Sequence, residues 1–116
     1  MRKLGFRLAR AKTIDALRAG PQFILFENRE DRASKNLLFT GEITPEEVVA
    51  LLRICRGTRD QYAETPHHRI PAVPVHEFKP VRKRTRWYIK VYFLEGTEEL
   101  EPAIFISVHK SNPRES

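Results

Sequence analysis

Arg86-Trp87-Tyr88-Ile89-Lys90-Val91-Tyr92-Phe93-Leu94 is the stretch from which the fold is read. Alternate residues of a strand point to opposite faces. Here Trp87, Ile89, Val91 and Phe93 make an apolar face, while Arg86, Tyr88, Lys90 and Tyr92 make a polar, cationic and aromatic one. Residues 103–109 repeat the pattern. Ile104, Ile106 and Val108 read as the core face, and Phe105, Ser107 and His109 as the other. Joined through the acidic segment 95–102, with Gly96 in its turn, the two runs are expected to form an antiparallel hairpin. Both apolar faces must cover one core, and a one-residue slip would turn a whole face into water. Two registers satisfy this. One sets Tyr88 opposite His109 and Lys90 opposite Ser107; the other sets Arg86 opposite His109 and Tyr88 opposite Ser107. In both, Arg86, Tyr88, Lys90, Ser107 and His109 share one surface, with cross-strand neighbours about 5 Å apart.

Upstream of this hairpin, Thr44-Pro45-Glu46-Glu47 is a strong helix start. Thr44 caps, Pro45 takes the first helical position and Glu47 completes a capping box. Val48, Val49, Leu51, Leu52 and Cys55 form an apolar stripe that Gly57 is expected to end. Thr13 reads as the cap of a short first helix over 14–19, stopped by Gly20-Pro21. Residues 23–26 suit a buried strand or docking segment, 28–34 a loop, and 35–40 either a strand or a helical turn. Residues 59–74 contain Pro66, Pro71 and Pro74 and are expected to be a long loop, with an edge strand at 73–78 and a cationic turn at 81–85. Residues 111–116 read as a polar tail, with flexibility expected from 110 onward. The order is helix, apolar segment, helix, then strands. It predicts one α+β domain over 1–116, an antiparallel sheet packed on N-terminal helices.

The chain has 116 residues, enough for one domain that buries roughly two thirds of its unfolded surface. A single cysteine, Cys55, excludes an internal disulfide and a multi-cysteine zinc site. No apolar run approaches the ~18 residues of a membrane span, and no signal-peptide pattern is present, so a cytoplasmic location without membrane contact is expected. Twenty-one Lys and Arg oppose fifteen Asp and Glu, giving +6, with a pI near 9.8. Six cations (Lys79, Arg82, Lys83, Arg84, Arg86 and Lys90) fall in twelve residues without an acid. A small domain with one strongly positive side is biased toward nucleic acid.

Cations, tyrosine and histidine on one strand face suit metal-free RNA cleavage. RNA carries its own nucleophile, the 2′-hydroxyl. The protein must remove that proton, protonate the leaving 5′-oxygen and stabilise the charged phosphorane. Histidine titrates near neutrality and serves as acid or base. Fixed Lys and Arg stabilise developing charge. Tyrosine hydrogen-bonds phosphate or stacks on a base. His109, Lys90 and Tyr88 are therefore the candidate catalytic residues. Arg82, Lys83, Arg84, Arg86, Ser107 and Lys110 are the candidate RNA contacts. His67, His68 and His76 are further candidates, on a loop and a strand placed to cover the same surface. His67-His68 lacks an Asp, Cys or third His at ligand spacing nearby, so no metal and no cofactor is expected. Tyr62 and Cys55 read as packing residues. Glu46-Glu47 and Glu98-Glu99 read as a helix start and a solvated turn, and the five scattered glycines make no phosphate loop.

Over residues 26–109 the sequence resembles the motility quorum-sensing regulator (MqsR) type of toxin. The resemblance runs through Lys35-Asn36, Gly41, Ile43-Thr44, residues 75–79, Trp87-Tyr88-Ile89-Lys90 and Ile106-Ser107-Val108-His109. It implies a RelE-like α+β fold, ribosome-independent mRNA cleavage and neutralisation by a cognate antitoxin. It places Tyr88 at a catalytic tyrosine, Lys90 at the lysine two residues on, and His109 at the basic residue ending the last strand. Three positions depart from the pattern. Val108 replaces the usual Phe, a glutamine expected near Val75-His76 is absent, and Ala63 stands where a lysine follows Tyr62. Two other readings use the same basic face: a non-catalytic nucleic-acid-binding or regulatory domain, and an interaction protein that docks an acidic partner. The expected partners are thus mRNA and an antitoxin, with the chain a monomer or part of a toxin–antitoxin complex.

Overall fold

The computed structural model describes residues 4–28, 30, 32–97 and 99–111. Three helical pieces and a short strand precede the second long helix: α1 (Gly5–Ala19), β1 (Ile24–Phe26), α2 (Arg32–Lys35), α3 (Leu37–Thr40) and α4 (Pro45–Ile54). Five strands follow: β2 (Tyr62–Pro66), β3 (Pro74–Phe78), β4 (Val81–Arg82), β5 (Thr85–Tyr92) and β6 (Ala103–Lys110). The sheet order is β1-β6-β5-β3-β2, with β4 paired to β5.

The α+β class holds, but the sheet is mixed rather than antiparallel. β1 runs parallel to β6, with Ile24, Leu25 and Phe26 opposite Ala103, Ile104 and Phe105. Parallel neighbours need a long connection, and here everything from α2 to β5 lies between them.

Helix α4 starts as its capping box dictates. Thr44 Oγ1 accepts the Glu47 N–H at 3.2 Å, and Glu47 Oε1 accepts the Thr44 N–H at 3.2 Å. Val48, Val49, Leu51 and Leu52 are buried. The helix stops at Ile54, before Gly57. Gly57 serves close packing instead: a Cβ there would come within 2.7 Å of the Phe6 ring. α1 is much longer than the expected 14–19. Its buried stripe is Ala9, Lys12, Thr13, Ala16 and Leu17, of which only Leu17 is a large apolar residue, so the stripe carries little hydrophobic signal in the sequence. Thr13 is therefore no cap; its hydroxyl donates to the Ala9 carbonyl at 2.7 Å inside the helix. Buried Lys12 is paired with the Glu99 carbonyl and with Glu101.

The stretch 28–34 is not all loop, since α2 begins at Arg32. At 35–40 two helical turns flank Asn36, which bridges to Val108 of β6 and whose amide donates to the Phe105 carbonyl at 3.3 Å. The loop expected at 59–74 contains β2. It pairs with β3 along its whole length, which makes β2 the edge and puts β3 inside the sheet. Tyr-Ala-Glu-Thr-Pro has weak strand propensity, and Pro66 is tolerable because an edge strand can spare a donor. Lys110 is the last residue of β6, opposite Trp87, not part of a tail; residues 112–116 lie outside the described residues.

The β5–β6 hairpin adopts the first of the two registers: Tyr88 faces His109 and Lys90 faces Ser107. Beyond Lys90 the partners become Val91–Phe105 and Tyr92–Ile104, leaving Ile106 as the extra residue of a β-bulge. A bulge inverts the face parity of the strand that carries it. Val108, Phe105 and Ala103 consequently join the main core with Trp87, Ile89, Val91, Phe93 and the helices. Ile104 and Ile106, expected on that same face, instead form a second apolar cluster with Val73, Val75 and Tyr92.

Candidate active site on the outer sheet face

The face of the sheet turned away from the helices has two halves. Over Tyr92, Ile104 and Ile106 it is covered by the segment joining β2 to β3. His67 packs edge-on against Tyr92 with ring centroids 4.9 Å apart. His67 Nδ1 accepts the backbone N–H groups of Arg69 and Ile70 at 3.1 and 3.2 Å, and its Nε2 is 2.9 Å from Glu27 Oε2. Burial, and then the Glu27 carboxylate, push the Tyr92 phenol above its ordinary pKa.

The other half, nearer the β4–β5 turn, is open. Tyr88 and His109 stand side by side on β5 and β6 with rings stacked at 5.3 Å. His109 Nδ1 lies 3.0 Å from the Lys110 carbonyl. A carbonyl only accepts, so this nitrogen carries the proton and donates, and in the neutral ring Nε2 keeps its lone pair. Lys90 is two residues along β5 from Tyr88, on the same face, with 41% of its side chain exposed. Its Nζ is 4.0 Å from Glu77 Oε1, because β3 sets Glu77 directly opposite Lys90. Thr65 Oγ1 donates to Glu77 Oε2 at 3.4 Å. An open hollow of about 150 Å³ continues from here, lined by Thr65, Pro66, His68, Glu77, Lys90 and Ile106 among others. A larger hollow of 770 Å³ lies between α1 and α4, but Arg18, Glu46 and Arg53 are its charged residues and it has no histidine, lysine or tyrosine.

The three proposed catalytic residues are thus brought together. Of the three additional histidines, two are not. His76 is wholly buried on the helix side of the sheet. Its Nδ1 is 2.9 Å from the Tyr62 hydroxyl and 3.4 Å from Glu64 Oε1, while Tyr62 also donates to Glu64 at 3.1 Å. Burial pushes the His76 imidazole below its ordinary pKa against the opposing pull of Glu64; burial and Glu64 both push the Tyr62 phenol up. Alternation along β3 explains the placement: with Glu77 outside, His76 must point in. His67 is buried as a loop anchor, and only exposed His68 reaches the hollow.

The basic residues divide as well. Lys83 and Arg84 form the exposed tip of the β4–β5 turn, with φ of 52° and 66°. Left-handed backbone at both central positions defines a type I′ turn, which Asn-Gly would fill with far less strain. Arg82 and Lys110 flank Trp87 at 5.9 and 5.6 Å from its ring. Lys110 therefore belongs to the helix side, not to the face that carries His109. Arg86 donates to the Asp60 carbonyl at 2.6 Å, and Ser107 is buried beneath the open face.

The fold supplies His67 and His68 with the third donor that sequence spacing did not reveal. Glu27, His67 and His68 place one ligand-type atom each within 4.8 Å of one another. The hydrogen bonds of His67 decide what this trio is. A ring nitrogen that accepts two backbone N–H groups is deprotonated, so in the neutral ring Nε2 holds the proton and donates to Glu27. The nitrogen facing Glu27 offers a metal no lone pair in this arrangement. Glu27 and His67, with Arg69 Nη2 at 3.4 Å from Glu27 Oε1, act as a clamp between the 67–70 segment and the end of β1, and His68 stacks on His67.

Sequence reading missed Glu77, because its position depends on β3 lying inside the sheet. Its alternation with His76 was the available signal. Comparison with protein-family models, with curated proteins and with solved structures yields no match for this chain.

Proposed function

We propose that this protein is a metal-independent endoribonuclease of the type II toxin class, with an MqsR-like, RelE-like domain that cleaves mRNA and is held in check by an antitoxin protein. The observation that carries the reading is the open half-face: Tyr88 stacked on His109, with Lys90 next along the strand. His109 is an acid or base with one nitrogen oriented by a backbone carbonyl and the other available to a substrate. Such orientation is what a proton-transfer group requires. Lys90 stabilises charge on the phosphorane, and Tyr88 orients the scissile phosphate. The Lys83-Arg84 tip and Arg84's neighbours along the strand supply attraction to the RNA backbone. Strained left-handed backbone at two cationic residues supports a role for that tip beyond folding.

The test is purified protein incubated with end-labelled RNA in EDTA. Cleavage that survives chelation and leaves a 2′,3′-cyclic phosphate or 3′-phosphate is the expected result. A 3′-hydroxyl end would remove this chemistry. No cleavage, with salt-dependent RNA binding retained, would favour a non-catalytic nucleic-acid-binding domain. Expression in a host should arrest growth unless the antitoxin is supplied.

A further inference from the structure

Cleavage through the 2′-hydroxyl needs two proton-transfer groups, one on each side of the phosphorus, because the attacking and leaving oxygens lie in line. His109 is one. We infer that Glu77 is the other, the general base that takes the 2′-hydroxyl proton; this inference rests on the endoribonuclease reading above.

Geometry points to Glu77 in three ways. First, β5 lies between β6 and β3, so His109 and Glu77 flank the Tyr88–Lys90 row from opposite sides. Two strand spacings of about 4.8 Å across the sheet and a two-residue offset of roughly 7 Å along it separate their backbones, and both side chains rise from the same face. A phosphate over Tyr88 and Lys90 lies between them. Second, Glu77 is not committed to the fold. Its contact with Lys90 is at 4.0 Å, and both side chains are partly exposed, at 23% and 41%. An exposed ion pair of that kind adds little to stability. Third, Thr65 donates to Oε2, which orients the carboxylate and leaves Oε1 toward Lys90 and the open face. The charged and titratable groups facing this carboxylate are Lys90 across β5 and His68 in the adjoining hollow. Tyr88 and the Lys110 carbonyl face His109.

The step balances as follows. The 2′-oxygen forms a bond to phosphorus as its proton passes to Glu77. The bond from phosphorus to O5′ breaks, its electron pair goes to O5′, and the imidazolium of His109 gives O5′ a proton from Nε2. The products are a 2′,3′-cyclic phosphate and a 5′-hydroxyl end. Glu77 must be ionised and His109 protonated, so the rate follows a bell-shaped pH profile, with an acid limb set by Glu77 and an alkaline limb set by His109.

The experiment is single-turnover cleavage of a mixed-sequence RNA oligonucleotide by saturating intact protein, measured across pH for the parent, Glu77→Gln, Glu77→Asp and His109→Gln. Affinity is measured in parallel on the same oligonucleotide carrying 2′-deoxyribose at the mapped site, and folding by thermal melting. Glu77→Gln is expected to lose 10²- to 10⁴-fold in rate and the acid limb of the profile. It should bind the deoxy substrate as tightly as the parent or more tightly, since a negative charge beside phosphate is gone. Glu77→Asp should recover part of the rate together with the acid limb. A Glu77→Gln rate within threefold of the parent, alongside a large loss in His109→Gln, would overturn this role for Glu77 and leave the endoribonuclease reading standing. Absence of cleavage by the parent, or equal rates for parent and His109→Gln, would overturn the reading and this inference together.

Discussion

The two halves of the outer face share the same pair of strands and are used in opposite ways. Over Tyr92, Ile104 and Ile106 the face is apolar and roofed, with His67 spending one ring nitrogen on the roof's backbone and the other on Glu27. Over Tyr88, Lys90 and His109 it is polar and open, and His109 keeps one nitrogen for the outside. The boundary is the bulge at Ile106. C-terminal to it, the outer positions of β6 are Ser107 and His109; from the bulge toward the N-terminus they are Ile106 and Ile104. One extra residue therefore converts a strand with a uniform alternation into one with an open polar end and a roofed apolar end. What each histidine offers to solvent is decided by what its second nitrogen touches, not by its neighbours in sequence.

The sharpest way to break this comparison is His109→Ala. Single-turnover RNA cleavage should fall 10²- to 10⁴-fold while the melting temperature stays within a degree or two of the parent's. A large fall in stability would place His109 in the structural half.

The opposite half should answer in the opposite manner. Ile106→Asp buries an unpaired carboxylate in the second cluster and should destabilise by ~3 kcal/mol or more, read from the shift of the urea midpoint at constant slope. Unchanged stability would mean that the cluster is not closed in solution.

A smaller effect is expected at the turn beside the open half. Replacing Arg82, Lys83 and Arg84 with alanine should reduce the slope of log affinity against log salt by about 2 to 3 if each contacts phosphate. Arg82 lies against Trp87, so a change nearer 2 would assign the docking to Lys83 and Arg84. An unaltered slope would remove the turn from the RNA interface.

The mildest effect tests the helix side. The buried imidazole of His76 has its pKa lowered from 6.5, chiefly by burial. The unfolded chain then binds more protons than the folded one as pH falls below about 6.5, so stability must decline on acidification. Denaturant midpoints at pH 7 and pH 5 should differ in that direction, and His76→Gln should shrink the difference. A difference of the same size in the variant would assign the acid sensitivity to other groups.

Sequence alone was sufficient wherever the deciding interaction is local. The capping box of α4 joins residues three apart, and its apolar stripe follows within two turns. Alternation in β5 and the requirement for one shared core narrowed the hairpin to two registers, of which one occurs over residues 87–90 and neither beyond the bulge. Tyr88, Lys90 and His109 on one surface follow from that parity. Tertiary structure decided everything that rests on a partner distant along the chain. β2 is a strand because β3 is beside it, and β3 is interior for the same reason. Glu77 consequently reaches the open face and His76 the core. Glu27 meets His67 across forty residues because β1 pairs in parallel with β6. The bulge that turns Ile104 and Ile106 outward leaves no mark in a pattern of alternating apolar residues. Strand propensity is weak and dependent on context, so which strands form, in what order, and where one carries an extra residue are settled by packing between segments that no short window of sequence contains.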